Sequence, residues 1–375
     1  MGKLFGTDGI RGVPWNFPFT EDFLSKIGYA VSLVISRSPL CPREGRRVLV
    51  GMDSRESCDK IKAALAKGMS VNDFQIVDIG IITTPAVSYL VKREGASFGV
   101  MISASHNPPE FNGIKFFSQN GMKLSDSAEE RIEKILEGDI SFAPKDNKLE
   151  RIDCSGDYAQ FIEKSICGNF KNLKVVLDCA NGAAFRIAPR IFEELSADIR
   201  LIGNAPDGRN INLGCGALFP EKMQKKTVIE KAFCGVSFDG DADRCVFSDE
   251  TGRTLNGDDL ISIAAPYLKE KGKLKNDKVV LTFMSNCGLI KYLETLGIEV
   301  VQVAVGDKNV TDAIEKEGLS LGGESSGHVI FREFGPTGDG ILTAVQVLNM
   351  AKESGKPLSF FKDRWKRFPQ FVVSH

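Results

Sequence analysis

The chain is predicted to be an α/β protein made of three consecutive units. Three observations predict this. Short apolar runs of buried-strand length alternate with amphipathic stretches of helical period along most of the sequence. A length of 375 residues exceeds what one hydrophobic core ordinarily serves, so two or three domains are expected. A polar link over 144–149 and a glycine-bounded break over 252–257 divide the alternation, giving expected units at 1–150, 151–252 and 253–366, with 367–375 left over.

The first unit opens on Gly6-Thr7-Asp8-Gly9-Ile10-Arg11-Gly12, read as a loop. Its glycines let backbone approach a ligand closely, and Arg11 can reach an anion; a plain turn is the alternative. Thr20 caps a helix with Phe23, Leu24, Ile27, Val31 and Val34 on one face. Residues 47–51 form a buried strand closed by Asp53-Ser54-Arg55, 61–69 a helix and 74–79 a strand, and Pro85 opens a helix to Arg93. Phe98, Val100 and Ile102 make a strand that breaks at Ser103, and Asn107-Pro108-Pro109 forces a turn. Ser105 is therefore expected to be exposed just past the carboxyl end of a strand, where ligands of open α/β sheets bind. A hydroxyl there is a candidate nucleophile. Because Ser105 and His106 are neighbours, their side chains are expected to diverge, which argues against a Ser–His dyad. Asn112 to Lys115 returns the chain toward the same loop, and a helix over 125–136 follows.

The second unit reads as a helix over 157–165, a strand over 174–177, a small-residue turn from Asp178 to Ala183, a helix ending near Leu195 and a strand over 198–202. A loop over 203–220, rich in Gly, Asn and Pro, is long enough to be functional or disordered. Strand 236–238 then ends in Asp239-Gly240-Asp241-Ala242-Asp243-Arg244, with a second strand over 245–247. Carboxylates so concentrated repel one another unless a cation or several hydrogen bonds offset them. Oxygen-only ligands suit a hard ion such as Mg²⁺; an acidic turn without metal is the alternative. An EF-hand fails, because Arg244 stands where that loop needs glycine.

The third unit offers a helix over 258–269, a strand over 279–283, a turn at Ser285-Asn286-Cys287-Gly288 into a helix, and strands over 298–303 and 319–321. The last delivers Gly322-Gly323-Glu324-Ser325-Ser326-Gly327-His328. A carboxylate and hydroxyls on a glycine-framed loop suit vicinal sugar hydroxyls, and His328 can shuttle a proton. Gly338-Asp339-Gly340 starts a final helix to about Glu353. No 20–50-residue repeat is visible.

A net charge of −1 supplies no basic field for nucleic acid or an anionic membrane, so an anionic ligand must meet a local cluster of cations. Nine cysteines, an odd count with no Cys-x-x-Cys, indicate neither a disulfide framework nor a zinc ribbon. The start lacks the regions of a signal peptide, and no apolar run approaches a membrane span. A cytoplasmic protein with no membrane or nucleic-acid partner is expected.

Four stretches, in order, resemble the α-D-phosphohexomutase superfamily: GTDGIRG, SASHNP, DGDADR and GGESSGH. The finer resemblance is to its bacterial glucosamine-phosphate branch. It rests on FGTDGIRG, Asp178 to Ala184, Pro206-Asp207-Gly208, Asn210-Ile211-Asn212, Phe238 to Arg244, Met284-Ser285-Asn286 and Thr337 to Gly340. The resemblance implies three mixed-sheet α/β domains of phosphohexomutase type around a central cleft. It implies interconversion of glucosamine 6-phosphate and glucosamine 1-phosphate, on the way to UDP-N-acetylglucosamine and peptidoglycan. Ser105 would carry a phosphoryl group, and Asp239, Asp241 and Asp243 would hold one Mg²⁺ against an oxygen of it. Glucosamine or glucose 1,6-bisphosphate would be intermediate and activator. Arg11, Lys115 and Arg244 would line the transfer with positive charge. Lys115 and His328 are both candidates for the general base. Glu324 and Ser326 would hold sugar hydroxyls, and Ser325 would bear on sugar preference. A homodimer is compatible with the resemblance.

The chain also departs from the family. Gly216 to Pro220 replaces a usual Ser-Thr-His stretch, Met52 a usual arginine, and Lys308-Asn309 a usual Arg-Tyr. Members normally carry a fourth domain whose serine- and threonine-rich loop grips the distal phosphate, and 367–375 reads as the start of a linker to it. Without such a domain, weak substrate binding and little turnover are expected, since remote phosphate contacts supply orientation. Phosphomannomutase or phosphoglucomutase chemistry on the same site is the near rival. A Mg²⁺ phosphatase gives SASHNP no job, and a binding-only protein would take label on Ser105 without turnover.

Overall fold

The structure is a computed structural model that describes residues 4–143 and 149–370. The expected polar link, apart from Leu149, and residues 371–375 lie outside the described residues.

The first sheet contains β1 (Ile10–Gly12), β2 (Arg47–Met52), β3 (Gln75–Ile81), β4 (Phe98–Ile102), β5 (Asn112–Ser118) and β6 (Glu150–Arg151), in the order β1-β5-β4-β2-β3-β6. Strands β4, β2, β3 and β6 run parallel, whereas β5 is antiparallel to both β4 and β1. The first glycine-rich motif, read as a loop, thus finishes as a strand, with Ile10, Arg11 and Gly12 opposite Ile114, Gly113 and Asn112. Gly9 permits this, because a Cβ there would lie 2.3 Å from the Ile114 carbonyl oxygen. Helices α1 (Glu21–Ser36), α2 (Cys58–Met69), α3 (Thr84–Arg93) and α4 (Asp126–Leu136) cover this sheet. The side chains of Thr20, Thr83 and Ser125 cap α1, α3 and α4.

The second sheet contains β7 (Lys174–Asp178), β8 (Asp198–Ile202), β9 (Cys234–Phe238), β10 (Cys245–Ser248) and β11 (Thr254–Leu255), in the order β11-β10-β9-β7-β8. Its helices are α5 (Ser155–Glu163), α6 (Ala184–Glu194) and α7 (Glu221–Ile229). The third contains β12 (Lys278–Thr282), β13 (Glu299–Val303), β14 (Leu321–Gly323) and β15 (Val329–Phe331), in the order β13-β12-β14-β15. Its helices are α8 (Gly257–Glu270), α9 (Cys287–Thr295), α10 (Asp307–Glu317), α11 (Gly340–Ser354) and α12 (Leu358–Lys362). Every sheet is mixed: β10 returns antiparallel beside β9, and β15 beside β14.

The core sits in two main bodies. Val48 and Val50 of β2 face α1 and α2, while Leu49 faces a second apolar cluster. That alternation is the period of a strand. The second cluster is continuous through all three units, from Leu49 and Phe117 past Leu177, Phe238 and Leu281 to Trp365. On this frame β4, β9 and β14 each end at one cleft, and the next residues along the chain are Ser103 to Ser105, Asp239 to Asp243 and Glu324.

Candidate active site

The serine loop of the first unit and the acidic loop of the second are pressed together. Ser105 has φ 52°, left-handed for a residue with a Cβ. The Ser103 hydroxyl holds it there, accepting the Ser105 N–H at 2.9 Å and donating to Asp53 Oδ2 at 2.7 Å. Ser105 Oγ donates to Asp239 Oδ2 at 2.7 Å and lies 3.1 Å from His106 Nδ1. Two expectations are corrected here. Ser105 is fully buried, not exposed, because the acidic loop of the second unit covers it. The Ser105 and His106 side chains converge because the left-handed turn breaks the alternation of a strand. Burial, with the Arg244 and Arg11 charges, brings the His106 imidazole down to about 4.

Asp239, Asp241 and Asp243 are all buried and bring one oxygen each within 4.8 Å of the others. Burial, then the charges of Asp243 and Asp241, pushes Asp239 well above the usual carboxylate range. Oδ1 of Asp241 and Oδ1 of Asp243 are buried without a hydrogen-bond partner. Crowded, orphaned carboxylate oxygens are what a hard divalent cation satisfies, so the residues fit one.

Lys115 lies against the same acids. Its Nζ is 2.9 Å from Asp241 Oδ2, 3.3 Å from Asp243 Oδ2 and 2.9 Å from Asp8 Oδ2. Burial works against that charge, but Asp241, Asp8 and Asp243 outweigh it and raise the ammonium well above its ordinary pKa. Arg11 pairs with Asp8 at 2.6 Å and donates to Asn107 Oδ1 at 3.0 Å. Arg244 Nε, 3.9 Å from Asp243 Oδ1, has no hydrogen-bond partner. Arg11, His106, Arg244 and Glu324 line a cavity of about 470 Å³ together with Asp8 and Asp307. Glu324 Oε1 accepts the Gly306 N–H at 3.0 Å, and Ser326 Oγ is 3.5 Å from Oε2. Ser325 and Ser326 share that loop without lining the cavity.

His328 is placed differently from a proton shuttle to a sugar. It is buried, its Nε2 accepts the Gly338 N–H at 3.1 Å, and its Nδ1 faces Asp243 Oδ2 at 3.9 Å. The proton therefore sits on Nδ1, and the ring stands behind Asp243 rather than on the cavity wall. Gly338 makes room for it, since a Cβ there would be 2.5 Å from the imidazole.

Four contributors went unassigned in the sequence. Asp8 bridges Lys115 and Lys123, Lys123 reaches on to Asp307 in the third unit, and Arg55 and Asn212 bind the serine loop. Asp8 and Asn212 lay inside motifs already singled out, but nothing local to Lys123 or Arg55 marks them.

A three-sheet cleft that sets a buried serine against a triad of aspartates is the arrangement that the phosphohexomutase resemblance implies. Three family matches agree: "Phosphoglucomutase/phosphomannomutase, alpha/beta/alpha" domain I over residues 2–141, domain II over 157–252 and domain III over 256–368. The phosphoglucosamine mutase of Caldicellulosiruptor bescii is 44% identical over all of this chain and 84% of its own length, and that of Shouchella clausii 43% with the same coverage. Among solved structures, a phosphoglucomutase/phosphomannomutase family protein of Burkholderia thailandensis superposes with a TM-score of 0.82 at 24% identity, covering 99% of this chain and 81% of that one. Aspergillus fumigatus N-acetylphosphoglucosamine mutase, solved with GlcNAc-6P and magnesium, gives 0.60 at 18%, covering 98% and 81%. These two likenesses concern the fold. The chain belongs to the phosphoglucosamine mutase family.

Proposed function

We propose that this chain interconverts glucosamine 6-phosphate and glucosamine 1-phosphate through a phosphoryl group carried on Ser105 and a 1,6-bisphosphate intermediate. The observation that carries this reading is Ser105 Oγ lying 2.7 Å from Asp239 Oδ2, beside the orphaned oxygens of Asp241 and Asp243. In the first transfer the free hydroxyl oxygen of the monophosphate bonds to phosphorus as the Ser105 Oγ–P bond breaks, and the hydroxyl proton leaves to a base. After the bisphosphate turns over in the cleft, a new Oγ–P bond forms at Ser105. The other sugar oxygen–phosphorus bond breaks and that oxygen takes a proton. No co-reactant is consumed, and a hexose 1,6-bisphosphate loads the serine initially.

Asp239, Asp241 and Asp243 would hold Mg²⁺, which when bound offsets negative charge on the transferring group. Arg11 and Arg244 face the cavity as the cations that meet substrate phosphate. Lys115 braces Asp241 and Asp243 while adding positive charge at the transfer, and His328 braces Asp243 from behind. Glu324 takes sugar hydroxyls, with Ser325 and Ser326 setting the shape of its loop. All nine cysteines are free, and no described helix is long and apolar enough to cross a membrane. We place the reaction in the cytoplasm, supplying UDP-N-acetylglucosamine for peptidoglycan.

The test is intact mass with and without glucose 1,6-bisphosphate. A gain of one phosphate by the wild type that Ser105→Ala does not show is expected. No gain, or an equal gain in Ser105→Ala, would overturn the reading. Rates on glucosamine, mannose and glucose 1-phosphate then rank the sugars, with glucosamine expected first.

A further inference from the structure

The loop over 203–220 has no part in the chemistry above, yet its Asn212 reaches the backbone of the nucleophile. Asn212 Nδ2 donates to the Ser105 carbonyl at 2.9 Å and to the Asn107 carbonyl at 3.0 Å. Both carbonyls already receive Arg55 Nη2 of the first unit, at 3.1 and 2.8 Å. The remaining guanidinium donors of Arg55 go to Asp53 Oδ2 and to the Pro108 and Phe111 carbonyls, so all of them hold this one loop or its support. Below the Ser105 carbonyl lies Gly240, where a Cβ would be 2.4 Å from that oxygen and 2.9 Å from Asn212 Nδ2. The Ser105 carbonyl is therefore enclosed by Arg55 from one unit and by Asn212 and Gly240 from the next. The 203–220 loop is fastened nearby: the Glu56 N–H donates to the Gly208 carbonyl at 3.0 Å, and Arg209 pairs with Glu56 at 2.6 Å. Asn212 is itself left-handed, at φ 59°, and buried.

We propose that Asn212 is a positioning residue for phosphoryl transfer. By donating to the Ser105 and Asn107 carbonyls across the interface of the first two units, it fixes the left-handed turn that aims Ser105 Oγ at Asp239. This rests on Ser105 being the phosphoryl carrier. Without Asn212 the turn keeps only the donors from its own unit, and Oγ loses its fixed line to the acidic triad. Small misplacements at a reacting atom cost on the order of 100-fold in rate.

The experiment measures the rate of phosphoryl uptake by Ser105 from glucose 1,6-bisphosphate in the full 375-residue chain, by intact mass, as a function of bisphosphate concentration. For Asn212→Ala a fall of about 10- to 100-fold in the saturating rate is expected. The half-saturating concentration should stay within about twofold, since Asn212 does not line the cavity. Asn212→Asp has the same shape but no donor, and sets a carboxylate against two carbonyls; it is expected to be slower than Asn212→Ala. A side chain that merely fills space would give the opposite order. Asn212→Leu, which likewise lacks a donor, replaces Asn212→Ala if thermal unfolding shows that it does not fold. An unchanged saturating rate in Asn212→Ala, or Asn212→Asp faster than Asn212→Ala, overturns the proposal and leaves Ser105 as carrier. No uptake by the wild type overturns the carrier reading, and this one with it.

Discussion

Lys115 meets two units at a single nitrogen atom. Its ammonium, 1% exposed, offsets Asp8 of the first unit and Asp241 and Asp243 of the second. Removing one partner of a buried ionic cluster leaves uncompensated charge, at a cost of about 3–5 kcal/mol. Lys115→Met should therefore lose roughly that much in urea unfolding without metal, and less with millimolar Mg²⁺, which would offset the same carboxylates. A loss below about 1 kcal/mol without metal would show that these acids do not depend on Lys115. At this scale the sequence was legible where chemistry and spacing coincide in one short run, as in Asp239 to Asp243. It was silent where a partner lies far along the chain: Arg55 meets Asn107 across 52 positions, and Asn212 meets Ser105 across 107. Burial of Ser105 was misjudged for the same reason, because its cover belongs to another unit.

Elements with a strong internal pattern were read correctly, and those held by neighbours were not. Helix α1 has a cap and a full apolar face, whereas α7 buries only Met223 and Thr227 and α10 only Asp307, Val310 and Ile314. The face of α7 leaves no apolar stripe to find, and that of α10 is only the pair Val310 and Ile314. The packing of α1 on α2 also depends on two glycines. A Cβ on Gly68 would lie 1.9 Å from the Ser25 carbonyl oxygen, and one on Gly28 2.2 Å from that of Leu65. Backbone cannot rotate aside as a side chain does, so Gly68→Ala should cost about 3 kcal/mol, the upper end for overpacking. A urea midpoint equal to wild type would refute it. Helix α11 gives a pH-dependent case. Burial raises its capping residue, Asp339, to about 6. The folded state thus keeps a proton that the unfolded state releases near pH 3.9. Asp339 therefore makes stability fall as pH rises from about 4 through 6, by roughly 3 kcal/mol in total. Asparagine also caps, so Asp339→Asn should show a flatter decline across that window. Parallel declines in the two proteins would refute it.

At the scale of the molecule, the cleft is joined differently on its two sides. The second and third units share a continuous apolar core, reinforced by the Tyr158 hydroxyl donating to Asp339 and by Gln346 donating to the Ser165 carbonyl. The first and third units meet across the cleft through charge instead. Lys123 pairs with Asp307, and Lys308 pairs with Asp126 and with Glu129 Oε2 at 3.3 Å. Apolar burial is insensitive to salt, whereas ion pairs reaching solvent are screened once the Debye length falls toward about 3 Å near 1 M. Asp126 is largely exposed, so the Lys308 link is the one that salt reaches. Raising NaCl from about 0.05 to 1 M should speed amide exchange over 304–312 severalfold and leave β12 and α11 unchanged. In Lys308→Ala the low-salt exchange of 304–312 should already match the high-salt wild type, with little further response. Exchange there that ignores both salt and the substitution would mean that packing, not charge, closes this side of the cleft.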